Sequence, residues 1–373
     1  MVAFARLSRP VLRSFARTST PRCLSTSNLK DTLFPHRLPP VYSDLTPSSS
    51  HALAITLSSF LPAQWTTASP VAALPRNNAG TPALPPPSSS LPLAPSHHLV
   101  YFNPAIPAEY LLPDGTDPLQ SPGSQYPRRM WAGGYVRWGE RAVPLDGKRW
   151  VCVEGIRDVT VKGREGEEKV FVGIERRIGQ ADGVEEGRAG SEDAVRRRLW
   201  AENEEEWGES WLIERRNIVF MRGRSPAEAK AEVAKGGKVV KPQHAPDFLH
   251  TIVPTPSLLF RYSALTFNAH AIHLDPAYCR DVEGHRDLLF HGPLSLTFLT
   301  TLLHNSIGPG RRVASIEYRN VAPLYCNEPV KFCGRKAADK SNGEDGMERY
   351  DVWVETPEGG LAVKGTAWTT AAY

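Results

Sequence analysis

Three side chains that form hydrogen bonds or transfer protons, those of Asn268, His270 and His273, lie within six positions of the chain. The segment around them is short and irregular, which predicts a loop or a short turn. A neutral imidazole is a base near pH 7 because its unperturbed pKa is ~6.5. An amide accepts no proton at that pH, but it orients a water molecule or a hydroxyl group. The cluster therefore predicts a site of proton transfer.

A second feature begins at Gly292-Pro293, where a nearly all-apolar helix is predicted to start. The first N–H groups of a helix have no helical partner, and they lie at the positive end of its dipole. Negative charge that develops on a carbonyl oxygen is stabilised at such a position. A base together with such a donor suits the addition or removal of water next to a carbonyl, and this is the chemistry that the sequence predicts.

The composition sets outer bounds on this hypothesis. A chain of 373 residues can hold two core-bearing units, and its 41% apolar and 23% charged residues are ordinary for a globular protein. The sequence has no run of ~18 apolar residues, so no membrane span is predicted. The net charge is +4, but six basic residues and no acid fall in residues 1–30, which leaves −2 for the rest. A slightly acidic body gives no indication of nucleic-acid binding.

The cellular location is predicted from residues 1–30, which are rich in Arg, Ser and Thr and free of Asp and Glu. This is the composition of a mitochondrial transit peptide, and the alternative is a disordered basic arm. The five cysteines include no Cys-x-x-Cys spacing. They fit a reducing compartment and predict neither a disulfide scaffold nor a zinc site.

The remaining chain divides into two β-rich halves, residues 31–225 and 249–373, joined by a polar linker over 226–248. Short alternating runs separated by turn residues predict antiparallel strands in both halves. The first half is interrupted by a Pro/Ser-rich loop over 67–97 and a charged insertion over 180–210, and we assign no chemistry to either. The second half has its apolar helix between the His/Asn cluster and its strands. An α+β fold is predicted, with a curved sheet wrapped around that helix.

Five stretches, each weakly specific alone, occur in an order and spacing that look specific together. They cover residues 98–102, 112–117, 128–134, 261–268 with His270 and His273, and 283–294. In these stretches the sequence resembles the MaoC-like double hot-dog hydratases and dehydratases that act on acyl thioesters. Within that group it is most similar to the fungal mitochondrial hydroxyacyl-thioester dehydratase type 2 proteins and to the mesaconyl-CoA hydratases.

The resemblance implies a double hot-dog fold, with two antiparallel sheets each wrapped around a helix and a degenerate first repeat. It also implies reversible syn addition of water to an enoyl thioester, with no metal and no cofactor besides the coenzyme A or phosphopantetheine that carries the substrate. The Asp and His that act on water in simpler bacterial relatives map onto Asn268 and His273. Because Asn268 cannot accept a proton, proton transfer falls to His273. His270 then serves as an orienter or as a second acid or base, and the sequence leaves both roles open.

On the same basis, the Gly292 N–H is expected to bind the thioester carbonyl, and one such donor is typically worth ~3–4 kcal/mol. Leu294 and Phe298 of the apolar helix are expected to line or floor a tunnel for the acyl chain. His291 is expected to pack at the start of the helix without a chemical role.

Arg128, Arg129 and Trp131 are candidates for substrate binding, with two interpretations. They either form the contact between the two repeats or make a rim for the phosphopantetheine arm, where Arg would meet phosphate.

The function expected from the resemblance is that of a (3R)-3-hydroxyacyl-thioester dehydratase of type II fatty acid synthesis in the mitochondrial matrix. Its partner is acyl-CoA or acyl carrier protein, and a homodimer is left open. One alternative is hydration of a dicarboxylic enoyl-CoA such as mesaconyl-CoA, which requires a cation deep in the pocket where a fatty chain requires an apolar tunnel. The other alternative is a non-catalytic acyl-thioester-binding subunit, an interpretation that Asn268 keeps open.

Overall fold

The computed structural model describes residues 33, 38–62, 65, 82–184, 186–234, 239–338 and 346–372. The predicted transit peptide, residues 1–30, lies outside the described residues. None of the helices in the described ranges is long and apolar enough to cross a membrane.

The described strands form one large antiparallel sheet and one small ladder. Their bounds are β1 Val41–Asp44, β2 Leu91–Pro92, β3 Arg128–Trp138, β4 Pro144–Leu145, β5 Arg149–Lys162, β6 Lys169–Gln180, β7 Leu212–Met221, β8 Phe248–Ile252, β9 Arg311–Asn320, β10 Val330–Lys336, β11 Glu348–Glu355 and β12 Leu361–Ala371. The large sheet has the order β1-β5-β6-β7-β3-β9-β12-β11-β10-β8, and β2 pairs with β4.

The helices lie between these strands. The longer ones are α1 Pro47–Ser58, α2 Ser191–Leu199, α3 Pro226–Ala234, α4 Pro256–Leu265 and α5 Gly292–Ser306. Shorter helical turns are Pro87–Ser89, His97–Val100, Ala108–Tyr110, Ala271–His273, Pro276–Tyr278 and Cys279–Glu283.

The two halves of the large sheet repeat one topology. The order β1-β5-β6-β7-β3 of the first half corresponds strand by strand to β8-β10-β11-β12-β9 of the second. The halves meet where residues 133–137 of β3 pair with residues 315–319 of β9. This pairing gives both inner edge strands a hydrogen-bonded neighbour, so one continuous sheet forms where two separate sheets were expected.

The buried helix of the second half is α5, as the sequence predicts. Nine of its residues are buried, and Phe298 stacks on Phe332 of β10 with ring centroids 5.2 Å apart. Burying a Leu or Phe side chain of this kind contributes ~1.5–3 kcal/mol. The curved sheet therefore holds α5 firmly, and with it the first turn of the helix.

Among the described residues of the first half, no long helix stands at the corresponding place. The short turn His97–Val100 stands there, between α1 and β3. Two buried charges hold this turn on the sheet, since His98 lies 3.7 Å from Glu214 and Arg176 donates to the carbonyl of Phe102 at 2.6 Å. The first repeat is thus degenerate, with a short turn and buried charges where the second half has α5.

The two segments that were predicted to be a charged insertion and a polar linker each contain a helix. The charged insertion over 180–210 holds α2, whose Val195 and Leu199 are buried against the sheet. The segment predicted as a linker begins with α3, whose Ala229 is fully buried. In both helices a single narrow apolar stripe suffices for docking, and short stripes are hard to detect among many charges.

Candidate active site

A cavity of about 640 Å³ lies between the two halves of the molecule. Side chains of the first repeat form one wall, and the segment around α4 together with the start of α5 forms the other. Its lining is mostly apolar, with a few polar groups, as in many small-molecule sites. The predicted site residues found in this lining are Asn268, His270, His273, Gly292, Arg129 and Trp131.

The loop that carries Asn268 begins where α4 ends. Phe267 has a φ of 50°, a left-handed conformation that reverses the chain after the helix. The N–H of Asn268 donates to the carbonyl of Ser263 at 2.8 Å, and its side-chain Oδ1 accepts the N–H of His270 at 3.0 Å. The Nδ2 hydrogens of Asn268 have no partner among the described residues, so they are available to a ligand in the cavity.

His273 is fixed in one tautomer and one orientation. Its Nδ1 lies 2.8 Å from the carbonyl oxygen of Leu289. A carbonyl only accepts, so Nδ1 carries the hydrogen and Nε2 holds the lone pair. Burial lowers the pKa of His273 to about 4, so the ring is neutral at pH 7. His273 therefore presents a basic nitrogen, as a general base requires.

His291 supports His273 from the other side. The two rings stack with centroids 3.6 Å apart and an angle of 19° between their planes. His291 Nε2 is 2.9 Å from the hydroxyl of Ser263, and burial holds the pKa of His291 well below its usual range. The ring of His291 therefore packs against His273 at the start of α5.

His270 has a carboxylate partner that the sequence did not reveal. Its Nε2 lies 3.4 Å from Oδ2 of Asp114, which belongs to the first repeat. Burial, with His273 and Arg129 nearby, holds the pKa of His270 well below its usual range. In the neutral ring the carboxylate favours hydrogen on Nε2, which leaves Nδ1 as an acceptor. The rings of His270 and His273 meet edge to face with centroids 5.7 Å apart.

The loop that carries Asp114 is held against the His/Asn loop. The N–H of Ala271 donates to the carbonyl of Asp114 at 2.8 Å, and Oδ1 of Asp114 accepts the N–H and hydroxyl of Thr116. Gly115 has a φ of 81°, and a Cβ there would overlap the carbonyl oxygen of Ala269. In the sequence, Asp114-Gly115 indicates a turn, and only the fold reveals that this turn touches the predicted site.

We expect Asp114→Asn to lower kcat for thioester hydration about tenfold with little change in KM, because the neutral amide no longer favours one tautomer of His270. Asp117→Asn is the matched control: Asp117 lies three residues away and lines the cavity, and its Oδ1 accepts the N–H of Leu119. Equal losses in the two variants would contradict a role through His270.

Gly292 stands at the first position of α5 and faces the cavity. Its N–H has no hydrogen-bond acceptor among the described residues. A Cβ on Gly292 would lie 2.9 Å from the Cβ of Trp131 and 2.9 Å from Nδ2 of Asn320. Asn320 Nδ2 in turn donates to the carbonyl of Trp131 at 2.7 Å. Glycine is thus the residue that fits here, and its free N–H is available to an oxygen of a ligand.

Three of the predicted substrate-binding residues lie outside the cavity lining. Leu294 and Phe298 are 0% and 1% exposed and pack into the core, since α5 turns its apolar sides to the sheet and only its first turn reaches the cavity. Arg128 is buried, and its Nε donates to Glu283 of the second repeat at 2.6 Å. The tunnel prediction is therefore wrong for Leu294 and Phe298. For Arg128 the structure agrees with the contact between the repeats.

The described residues offer no cluster of three or more His, Cys, Asp or Glu side chains placed to hold a metal ion. The polar groups that face the cavity include an imidazole base, an amide donor and a free helix N–H. These are the groups needed to hold a water molecule and to polarise a carbonyl in the same space.

The sequence matches a family model described as hydroxyacyl-thioester dehydratase type 2 over residues 96–326. It is 30% identical over 283 residues to a mesaconyl-C(4)-CoA hydratase of Chloroflexus aurantiacus, covering 75% of this chain and 85% of that protein. It is 28% identical to the mitochondrial hydroxyacyl-thioester dehydratase type 2 of Schizosaccharomyces pombe, covering 74% of this chain and 87% of that protein.

The fold is similar to that of a MaoC-like dehydratase from Phytophthora capsici, with a TM-score of 0.57 at 13% identity. The similarity covers 92% of this chain and 99% of that chain. A second MaoC-like dehydratase gives a TM-score of 0.58 at 12% identity, over 92% of this chain and 100% of the other. The expected double hot-dog fold is thereby confirmed.

Proposed function

This chain belongs to the hydroxyacyl-thioester dehydratase type 2 family and is a hydro-lyase, and on that premise we propose that it interconverts (3R)-3-hydroxyacyl and enoyl thioesters with His273 as its base. One observation carries the assignment of roles. The imidazole whose lone pair is on Nε2 and the free N–H of Gly292 both line the cavity between the repeats. The imidazole of His273 and the N–H of Gly292 therefore suit the two ends of one enol fragment of the substrate, its carbon end and its thioester oxygen.

In the hydration direction, Nδ2 of Asn268 donates a hydrogen bond to a water oxygen while His273 Nε2 accepts one of its protons. The water oxygen bonds to carbon 3 of the enoyl group as the O–H bond breaks. The electron pair of the double bond moves toward the thioester oxygen, where the Gly292 N–H stabilises the negative charge. The imidazolium of His273 then returns the proton to carbon 2. The hydroxyl group and the hydrogen add to the same face of the double bond, because the side chain of His273 both takes the proton from water and returns it to carbon 2.

The low basicity of His273 fits this scheme in a specific way. A ring whose pKa is lowered to about 4 by burial forms a strongly acidic imidazolium. Such an acid readily protonates carbon 2 of an enolate. His270, whose Nε2 is turned to Asp114, has Nδ1 left to accept the second hydrogen of the water. His270 is thus proposed as the orienter, one of the two roles that the sequence leaves open.

The names of the relatives and the N-terminal composition support a proposal for the biological setting. Two yeast relatives carry mitochondrial in their names, and residues 1–30 have the composition of a transit peptide. We therefore propose a place in the mitochondrial matrix, in type II fatty acid synthesis, with acyl carrier protein or coenzyme A as the carrier. No metal or redox cofactor has a role in this proposal.

The test is hydration of crotonyl-CoA by the purified wild-type protein, followed as loss of the ultraviolet absorbance of the conjugated thioester. We expect turnover, a (3R)-3-hydroxybutyryl product, and the reverse reaction from that product. Matched carrier-protein and coenzyme A substrates of several chain lengths then identify the carrier. Absence of turnover on all of them would favour the non-catalytic acyl-thioester binder.

A further inference from the structure

A second cavity, of about 350 Å³, lies at the other end of the central strands from the proposed active site. Its volume is at the lower end of the range of small-molecule sites, ~300–1,000 Å³. Half-buried indoles and two guanidiniums dominate its lining, and no histidine is among the described residues that line it. Its main lining residues are Trp138, Glu140, Arg141, Trp207, Trp211 and Arg312.

The internal repeat makes this cavity the counterpart of the proposed active site. A half-turn about the middle of the β3–β9 ladder exchanges the paired segments, residue 133 with 315 and residue 137 with 319. The same relation connects the bulge positions of the two strands, Ala132 and Ala314. It also connects four lining residues of the second cavity with four of the first: Arg312 with Met130, Trp138 with Asn320, Glu140 with Ala322 and Arg141 with Pro323. The fold therefore has two cavities at equivalent positions.

The two cavities are far enough apart to bind different molecules. Trp131 lines the first and Trp138 lines the second, and they are seven residues apart on β3. At ~3.3 Å per residue this separation is about 20 Å. A ligand in the second cavity therefore leaves the space around His273 and Gly292 open.

Arg141 is held in the second cavity by stacking. Its guanidinium lies over the ring of Trp211 at 4.2 Å from the centroid, and Trp150 meets that indole edge to face with centroids 5.1 Å apart. Within the described part of the chain, Arg141 has no carboxylate within 4.0 Å and no hydrogen-bond acceptor. A stacked guanidinium keeps the N–H groups of its edge for a ligand, and phosphate oxygens match them two at a time.

The other indoles give the cavity flat apolar walls. Trp207 packs over the backbone at Gly139, where a Cβ would lie 3.6 Å from Cζ3 of Trp207 and 2.9 Å from the carbonyl oxygen of Trp211. Trp138 is held from the core side by His98, with the two rings edge to face and their centroids 6.5 Å apart. Planar bases stack on aromatic rings and on guanidinium planes of this kind.

We propose that the second cavity binds an adenine nucleotide, with its base against the indoles and its phosphates on Arg141 and Arg312. The carboxylate of Glu140 suits the amino group of the base, since a carboxylate accepts hydrogen bonds from such a group. The same nucleotide chemistry occurs in a free adenosine diphosphate and at the end of coenzyme A. This site is additional to the proposed hydration reaction and does not depend on it.

Binding of ADP to the wild-type protein tests the assignment, measured by isothermal titration calorimetry and by tryptophan fluorescence. We expect one site per chain and quenching of the indole emission by the stacked base. Adenosine lacks the phosphates and pyrophosphate lacks the base, so each should bind at least about tenfold more weakly than ADP. Added salt should weaken the binding of ADP. Crotonyl-pantetheine, which has no nucleotide, should not displace it.

Replacement of Arg141 by glutamine should lower the affinity for ADP at least about tenfold, because charge-assisted hydrogen bonds to phosphate are lost. The kcat for hydration of crotonyl-pantetheine should stay within about threefold of wild type, since Arg141 lies at the other end of β3 from the first cavity. Arg164→Gln is the matched control. It removes an exposed arginine from the turn between β5 and β6, and it should change the affinity for ADP by less than about twofold.

Three results would overturn the proposal: no binding of ADP, equal affinities in wild type and Arg141→Gln, or displacement of ADP by crotonyl-pantetheine. The last result would put the nucleotide in the first cavity. A titration with coenzyme A separates the two sources of the nucleotide. Binding that Arg141→Gln weakens and crotonyl-pantetheine leaves in place assigns the second cavity to the carrier, and binding of ADP alone assigns it to a free nucleotide. These binding results stand whether or not the protein hydrates a thioester, so the two proposals fail separately.

Discussion

Replacement of His273 by alanine is expected to lower kcat for crotonyl-CoA hydration about 10³-fold, within the range typical of a lost general acid or base. The reason is that one imidazole both receives the water proton and returns it to carbon 2. In this scheme the neighbouring His270 orients the water through Nδ1 and returns no proton to carbon 2. KM should change little, since the thioester carbonyl still meets Gly292. Stopped-flow and steady-state rates on the purified variant provide the measurement.

The matched control is His285→Ala, which removes a half-buried histidine of the same repeat. His285 Nδ1 contacts the hydroxyl of Tyr325 at 3.2 Å, and the residue does not line the cavity. Its loss should leave kcat within about threefold of wild type. If His273→Ala kept more than a tenth of the wild-type rate while folded, the base would have to be a different group.

The pH dependence of wild-type kcat/KM is an independent test of the protonation of His273. Burial lowers the pKa of His273 to about 4, so the base form persists in neutral and mildly acidic solution and is lost only as the pH falls through about 4. The profile should therefore stay flat from neutrality down to about pH 5, where an ordinary histidine with a pKa of ~6.5 would already be protonated. An acid limb near pH 6.5 would contradict a buried base.

Local sequence is sufficient to predict the parts of the site that one segment builds. The Asn268 to His273 spacing and the Gly292-Pro293 helix start are found where they were expected, because each depends on neighbours within a few residues. Asp114 was missed for the opposite reason. It reaches His270 from more than 150 positions away, through a turn whose sequence indicates only a turn. Contacts of such separation follow from the fold and leave no local pattern.

The polar interior of the first repeat was equally hidden. Arg176 and Glu214 stand in β-strand runs, where alternate residues were expected to face solvent, yet both are almost fully buried and pair at 2.9 Å. A buried ion pair of this kind is tolerated when each charge has its partners. This pairing can be recognised only once it is known that β6 and β7 are adjacent in the sheet. The misassignment of Leu294 and Phe298 has a related cause, since an all-apolar helix does not reveal which of its faces meets a cavity.

Substitution of Gly292 by alanine is expected to lower kcat at least about 100-fold, the usual loss for one donor to a developing oxyanion. The added Cβ would stand 2.9 Å from both the Cβ of Trp131 and Nδ2 of Asn320, so the start of α5 has to shift away. Because the N–H moves with its Cα, its alignment with the thioester oxygen is lost even though the N–H itself remains. Overpacking of this kind typically costs about 1–3 kcal/mol of stability.

A paired substitution separates the lost alignment from the lost stability. Trp131→Gly in the Gly292→Ala background removes the Cβ and Cγ of Trp131, which are two of the three atoms nearest to the new Cβ, and leaves Tyr318 without the indole donor at 2.8 Å. If the displaced N–H is the cause, the double variant should recover at least tenfold in kcat over Gly292→Ala, although it is the less stable protein. If kcat instead falls with thermal stability across wild type, single and double variants, the N–H of Gly292 has no special part in the reaction. From the single to the double variant, kcat is thus expected to rise while stability falls. That result would show that the reaction depends on where the N–H of Gly292 lies, since the N–H is present in both variants.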